Sequence, residues 1–127
     1  MSIHATAIVS RNAELAADVS VGPYAIVGDG CTVADGCVIG AHAVLERNVK
    51  LASNVRVGVG TVLGGDPQDL KFKGEDTTVE IGEGSVIREY STVNRGTAAS
   101  MKTTVGRGCF IMSYVHLGHD CHVGDGA

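Results

Sequence analysis

Tryptophan is absent and aromatic residues make up only 4% of the chain, which excludes a core built around a few large rings and demands many small, similar side chains instead. No run of Lys or Arg occurs, and the formal net charge is -4, so the electrostatic footprint of a nucleic-acid binder is missing. No apolar stretch approaches bilayer length, and Met1–Val9 has neither the basic start nor the long apolar run of a signal peptide. A cytoplasmic protein is the expectation. Four cysteines, Cys31, Cys37, Cys109 and Cys121, lack CxxC spacing, which weakens a zinc or redox reading. With two prolines against eighteen glycines, and those glycines set between single aliphatic residues, the chain is neither low-complexity nor disordered.

What is present is a repeat of six. Stepping from Ile3 gives Val9, Leu15, Val21, Val27, Val33, Ile39, Leu45, Leu51, Val57 and Leu63; the register returns at Ile81, Ile87 and Val93, then at Val105, Ile111, Leu117 and Val123. Neither a 3.6-residue helix nor a two-residue strand alternation produces this period. Four residues after each aliphatic comes a small or compact side chain, among them Ala7, Ala25, Ala43, Thr61, Ser85 and Ser91, and all four cysteines fall on this position. They read as reduced core fillers. Glycine often follows the aliphatic directly, as at Gly22, Gly28, Gly40, Gly58, Gly82 and Gly106, where a tight corner is expected to need unusual backbone angles.

These facts predict an all-β solenoid. Each hexapeptide makes a short strand and a corner, three make an 18-residue triangular coil, and coils stack at the ordinary strand spacing of about 4.8 Å. One domain covering residues 1–127 is expected. The register lapses at about 65–80 and 98–104 and returns in phase, which predicts two loops ejected from the prism, the kind of segment that carries function on a rigid scaffold. The first holds Gln68, Asp69 and Lys71; such a loop suits a polar sugar or a phosphate, or is simply solvated. Near the end, His116, His119 and His122 invite a metal reading, but His116 and His122 are one hexapeptide apart and belong on different faces. His119 beside Asp120 has the makings of an oriented imidazole base.

The opening Ile3-His4-Ala5-Thr6-Ala7-Ile8-Val9, the insertion Gln68-Asp69-Leu70-Lys71-Phe72-Lys73-Gly74-Glu75, the run Ile87 to Thr97 and the stretch His116-Leu117-Gly118-His119-Asp120-Cys121 together resemble the acyl-ACP:UDP-N-acetylglucosamine O-acyltransferases, enzymes of lipid A synthesis within the hexapeptide-repeat acyltransferase superfamily. The resemblance runs end to end. It implies a left-handed parallel β-helix, a homotrimer, and transfer of an (R)-3-hydroxyacyl group from acyl carrier protein to the 3-hydroxyl of UDP-N-acetylglucosamine. It implies His119 as general base, because a sugar hydroxyl attacks well only while losing its proton, and Asp120 as the carboxylate that orients it. His116, Asp69, Lys71 and, more weakly, Gln68 match positions that contact the nucleotide sugar or shape the cleft. No metal and no cofactor are implied beyond the phosphopantetheine that carries the acyl group on its carrier protein. Family sites lie between adjacent subunits of the trimer, an arrangement in which the loop and the histidines can come from different chains. The scattered Arg47, Lys50, Arg56, Arg88 and Lys102 are the cations available to an acidic carrier protein.

Departures from the family pattern are Ala5 in place of proline and Asn94 where some members carry histidine. The family also continues past the position of Ala127 into further coils and a C-terminal helical region, so these residues correspond to its N-terminal portion. Three other readings compete. They are the related N-acyltransferase, for which the QDLK loop is not expected; a γ-class carbonic anhydrase with zinc held by histidines; and a non-catalytic trimeric scaffold or truncated paralogue that binds nucleotide sugar without turnover.

Overall fold

The computed structural model describes every residue from Met1 to Ala127. It contains eighteen short strands and no helix, and each strand holds one of the eighteen aliphatic residues of the register. Every third strand joins the same sheet, giving three six-stranded sheets. The first runs from Ser2–Ile3 to Phe110–Ile111, the second from Ile8–Val9 to His116–Leu117 and the third from Glu14–Leu15 to His122–Val123. All pairings are parallel, and in the first coils partners lie eighteen residues apart, Ser2 opposite Ser20 and Ser20 opposite Val38. The fold is a left-handed parallel β-helix, an exception to the right-handed crossover that governs most parallel strands.

The prism is held by its inward side chains. Ile39, Leu45, Leu63 and Ile87 from the aliphatic phase and Val19, Ala25, Cys31, Cys37 and Val55 from the compact phase are all essentially inaccessible to solvent. Full burial of each large aliphatic contributes about 1.5–3 kcal/mol. Cys31, Cys37 and Cys109 are buried thiols, as the repeat requires, but Cys121 on the last coil is exposed. Burial raises the pKa of Cys31 and Cys37, outweighing the backbone hydrogen bonds that favour the thiolate.

The expectation for the corner glycines needs correction. Residues with positive φ recur every six positions, from Tyr24, Gly30, Gly36, His42, Asn48 and Asn54 on to Gly108, Tyr114 and Asp120, two places beyond the glycines that follow the aliphatic residues. Of those glycines only Gly64 has positive φ. The rest serve close approach between coils: a Cβ on Gly28 would lie 2.1 Å from the Glu46 carbonyl oxygen, and one on Gly82 2.4 Å from the Gly106 carbonyl carbon. The left-handed residue extends the ladder around the corner, its N–H donating to a carbonyl of the coil before, as from Asn48 to Asp29 and from Tyr90 to Val59.

Beyond Leu63 the coil spacing changes. Arg56 pairs with Val86, thirty residues on, an insertion of twelve; Val86 pairs with Phe110, twenty-four on, an insertion of six. Both are multiples of the repeat, which is why the register returns in phase. Strands end at Gly65 and resume at Thr78, then end at Asn94 and resume at Lys102. Val79 and Thr103 already occupy inward positions with no exposed surface, so the wall is re-entered before the next aliphatic residue.

Candidate functional site

The two ejected segments leave the same corner of successive coils, and a cleft of about 390 Å³ forms where they meet His119. Its lining comes from Asp69, Lys71, Phe72 and Glu75 of the first segment, Thr97, Ala98 and Ala99 of the second, and the pair His119 and Asp120. Asp69, Lys71, His119 and Asp120 thus meet within one chain. Gln68 is exposed and outside this cleft. His116 is also outside it: it sits on the outer face of the second sheet, its Nδ1 2.7 Å from Thr92 Oγ1.

The first loop has fixed roots. Arg95, only 4% exposed, donates to the Gly64 carbonyl at 2.8 Å and to Asp66 Oδ1 at 2.7 Å, and its guanidinium lies 5.5 Å from the Phe72 ring centroid. Asn48 Nδ2 holds the return, donating to Asp76 Oδ1 at 2.7 Å and to the Thr77 carbonyl at 3.1 Å. Asp69 shapes the loop itself, its Oδ1 accepting the Lys71 N–H at 2.9 Å in an Asx turn. Arg95 stood within the run that carried the resemblance, yet only the folded chain reveals its reach across twenty-nine residues to Asp66.

The His119–Asp120 pair is the chemical centre of the cleft. His119 Nδ1 lies 2.9 Å from Asp120 Oδ2, with about a third of the imidazole exposed and Asp120 mostly covered. Burial pushes the Asp120 pKa up, but hydrogen bonds from the Thr97 hydroxyl, from His119 and from the Thr97 and Ser100 N–H groups outweigh it, and the net direction is below the usual carboxylate range. The carboxylate is therefore ionised at neutral pH. An imidazole that donates through Nδ1 to a fixed carboxylate keeps the Nε2 lone pair free to take a proton, the arrangement that general-base chemistry needs.

The remaining histidine, His122, faces outward on the third sheet between Thr104 Oγ1 at 2.8 Å and Ser100 Oγ at 2.9 Å. No three His, Cys, Asp or Glu side chains converge to share an ion, and the three histidines occupy two sheets and the corner between them.

Three parallel sheets whose walls turn on a six-residue repeat, with a polar cleft at one corner, define a hexapeptide-repeat left-handed β-helix. The bacterial transferase hexapeptide family (six repeats) matches residues 12–47 and 102–127. Within that class, the chain is similar to the acyl-[acyl-carrier-protein]–UDP-N-acetylglucosamine O-acyltransferases. It is 41% identical over 124 residues to that of Thermodesulfovibrio yellowstonii, covering 97% of this chain and 48% of the relative. It is 55% identical over 120 residues to that of Chlorobium phaeobacteroides, covering 94% and 46%. Among solved structures, a UDP-N-acetylglucosamine acyltransferase from Bacteroides fragilis superposes with a TM-score of 0.95 at 36% identity, over 97% of this chain and 48% of that one. UDP-N-acetylglucosamine O-acyltransferase from Moraxella catarrhalis gives 0.94 at 38%, over 98% and 49%. The chain spans about half the length of the curated relatives it matches and corresponds to their N-terminal portion.

Proposed function

We propose that the chain carries the sugar-acylating cleft of an acyl-ACP:UDP-N-acetylglucosamine O-acyltransferase, moving an (R)-3-hydroxyacyl group from acyl carrier protein to the sugar 3-hydroxyl. The observation that carries this reading is the His119–Asp120 pair opening onto the same cleft as Asp69 and Lys71, in a chain whose relatives bear that activity in their names. His119 Nε2 takes the hydroxyl proton as the sugar oxygen attacks the thioester carbonyl. Collapse of the tetrahedral intermediate then breaks the carbon–sulfur bond, and the phosphopantetheine thiolate leaves with the proton that His119 returns. Asp120 steadies the imidazolium between the two steps. Lys71 and Asp69 supply a cation and an acceptor for the nucleotide sugar. His116 and Gln68 lie outside the cleft in one chain, and this reading gives them no part in the proton transfer.

A cytoplasmic homotrimer is part of the same reading. The outward positions of the second sheet begin Ile8, Ile26, Val44 and Val62, whereas those of the third are Glu14, Thr32, Lys50 and Glu80. Ile8 is 65% exposed and Leu70, at the tip of the first loop, is fully so, leaving apolar surface for a second copy to cover. No helix is long and apolar enough to cross a membrane.

The test is an assay with (R)-3-hydroxyacyl carrier protein and UDP-N-acetylglucosamine. Acylated sugar is expected from the unsubstituted chain, and His119→Ala is expected to lower turnover by about 10²–10⁴-fold with an unchanged circular dichroism spectrum. Full activity in the substituted chain overturns the base assignment. Sugar binding without product in the unsubstituted chain overturns the enzyme in favour of a non-catalytic scaffold.

A further inference from the structure

The six-residue insertion between the Thr92–Asn94 and Lys102–Val105 strands does more than line the cleft. We propose that it is a cradle for the Asp120 carboxylate, and that Thr97 is a positioning residue which, through Asp120, fixes the neutral proton of His119 on Nδ1 and leaves Nε2 as the basic atom.

Donor counting carries the inference. Asp120 Oδ1 accepts the Thr97 N–H at 2.9 Å and the Ser100 N–H at 3.2 Å. Its Oδ2 accepts the Thr97 hydroxyl at 2.5 Å and faces His119 Nδ1 at 2.9 Å. The Thr97 oxygen also accepts the Ala99 N–H at 3.2 Å, so its single proton is the one group it has to give, and an ionised carboxylate can only accept. With three donors from the inserted segment already on the carboxylate, the fourth contact is an N–H donated by His119. The opposite tautomer would require a proton on Asp120 Oδ2, the atom at which the Thr97 hydroxyl already points. The backbone holds the carboxylate still. Asp120 sits in the left-handed corner conformation with φ 63, and its N–H donates at 2.9 Å to Thr103 Oγ1, a side chain with no exposed surface. Thr97 is itself only 8% exposed, so water competes poorly for its hydroxyl.

A coil without the insertion would place an ordinary six-residue corner beneath Asp120 and could not deliver N–H groups from both Thr97 and Ser100. The insertion therefore has a chemical reason that a merely tolerated loop would lack. The kinetic part of the inference rests on the base role proposed above; the protonation part does not.

Nitrogen-15 spectra of the His119 imidazole, recorded above the pH at which the ring is neutral, test it. The unsubstituted chain is expected to carry the proton on Nδ1, Thr97→Val to gain a measurable Nε2–H population, and Thr97→Ser to match the unsubstituted chain. Turnover by Thr97→Val is expected to fall roughly tenfold to a hundredfold, the loss of one hydrogen bond to a charged group, with KM for UDP-N-acetylglucosamine unchanged and activity regained in Thr97→Ser. An Nε2–H tautomer in the unsubstituted chain overturns the inference, and so does a Thr97→Val spectrum indistinguishable from it. Should Thr97→Val fail to fold, the tautomer of the unsubstituted chain and of Thr97→Ser decides. If no acyl transfer occurs at all, the function proposed above falls while the ring spectra still judge the cradle.

Discussion

The coils before Thr61 and those after it are built on one period but differ in what they bury. Up to Val57 the fully buried side chains are aliphatic residues, alanines and cysteines, and no polar residue is buried; from Thr61 onward Thr61, Thr77, Ser85, Ser91, Asn94, Arg95, Thr97 and Thr103 all are. Several of these hydroxyls stitch coil to coil. Thr61 donates to the Arg88 carbonyl and Ser91 to that of Met112, while Thr61 and Ser85 accept the N–H groups of Ser91 and Cys109. The first region is a spacer with few alternatives to its packing. In the second, Arg95 and Thr97 are the buried polar groups at the corner from which chain has been ejected, and the cleft lies there.

That contrast breaks most sharply at His119. His119→Ala is expected to remove about 3–5 kcal/mol of transition-state stabilisation and almost none of the folding stability, read by turnover and by urea midpoint in the same preparation. The converse is Leu45→Ala in the spacer, where the side chain has no exposed surface. A loss of about 2–5 kcal/mol of stability is expected from denaturant unfolding, felt in activity only through the fraction folded.

Gly82→Ala tests the corner glycines. Its new methyl would meet the Gly106 carbonyl carbon at 2.4 Å, so a backbone shift costing about 1–3 kcal/mol is expected. Gly84→Ala, which meets nothing within 4 Å but requires a φ of +72, is expected to cost about 1–2 kcal/mol through backbone strain alone. If Gly82→Ala melts with the unsubstituted chain, close coil approach is not the reason for that glycine.

A smaller effect is expected in acid. The pKa of Asp120 is lowered in the folded chain from an unfolded value near ~3.9, so its ionisation adds stability above that value, and the contribution fades as pH falls through the lowered folded value. Asp120→Asn should therefore flatten the stability curve between about pH 5 and the acid end. An unaltered acid limb would mean that the cradle does not hold a carboxylate in solution. Smallest in energy but simple to read, a thiol reagent is expected to reach the buried Cys31, Cys37 and Cys109 only on unfolding.

Much of the wall was legible in the sequence because one inward side chain per hexapeptide leaves an unbroken period, and all eighteen aliphatic residues of that register lie in strands. His119 and Asp120 were legible as chemistry and through resemblance. The roots of the site were not. Arg95 acts on Asp66 and Phe72 from across an insertion, and Thr97 acts on Asp120 from the coil beneath; neither distance is encoded by a local motif. The glycines misled for a related reason, since a missing Cβ signals equally a positive φ and a close neighbour, and only stacked coils tell the two apart. Cys121 shares the phase of the other cysteines, but on the last coil nothing in the structure packs over it.

The most direct measurement is a crystal structure of the chain with UDP-N-acetylglucosamine. The sugar is expected between the two inserted segments, beside Asp69 and Lys71, with its 3-hydroxyl within hydrogen-bond reach of His119 Nε2. A sugar bound on one of the flat sheets, or seated in the cleft with that hydroxyl turned away from His119, would contradict the central claim.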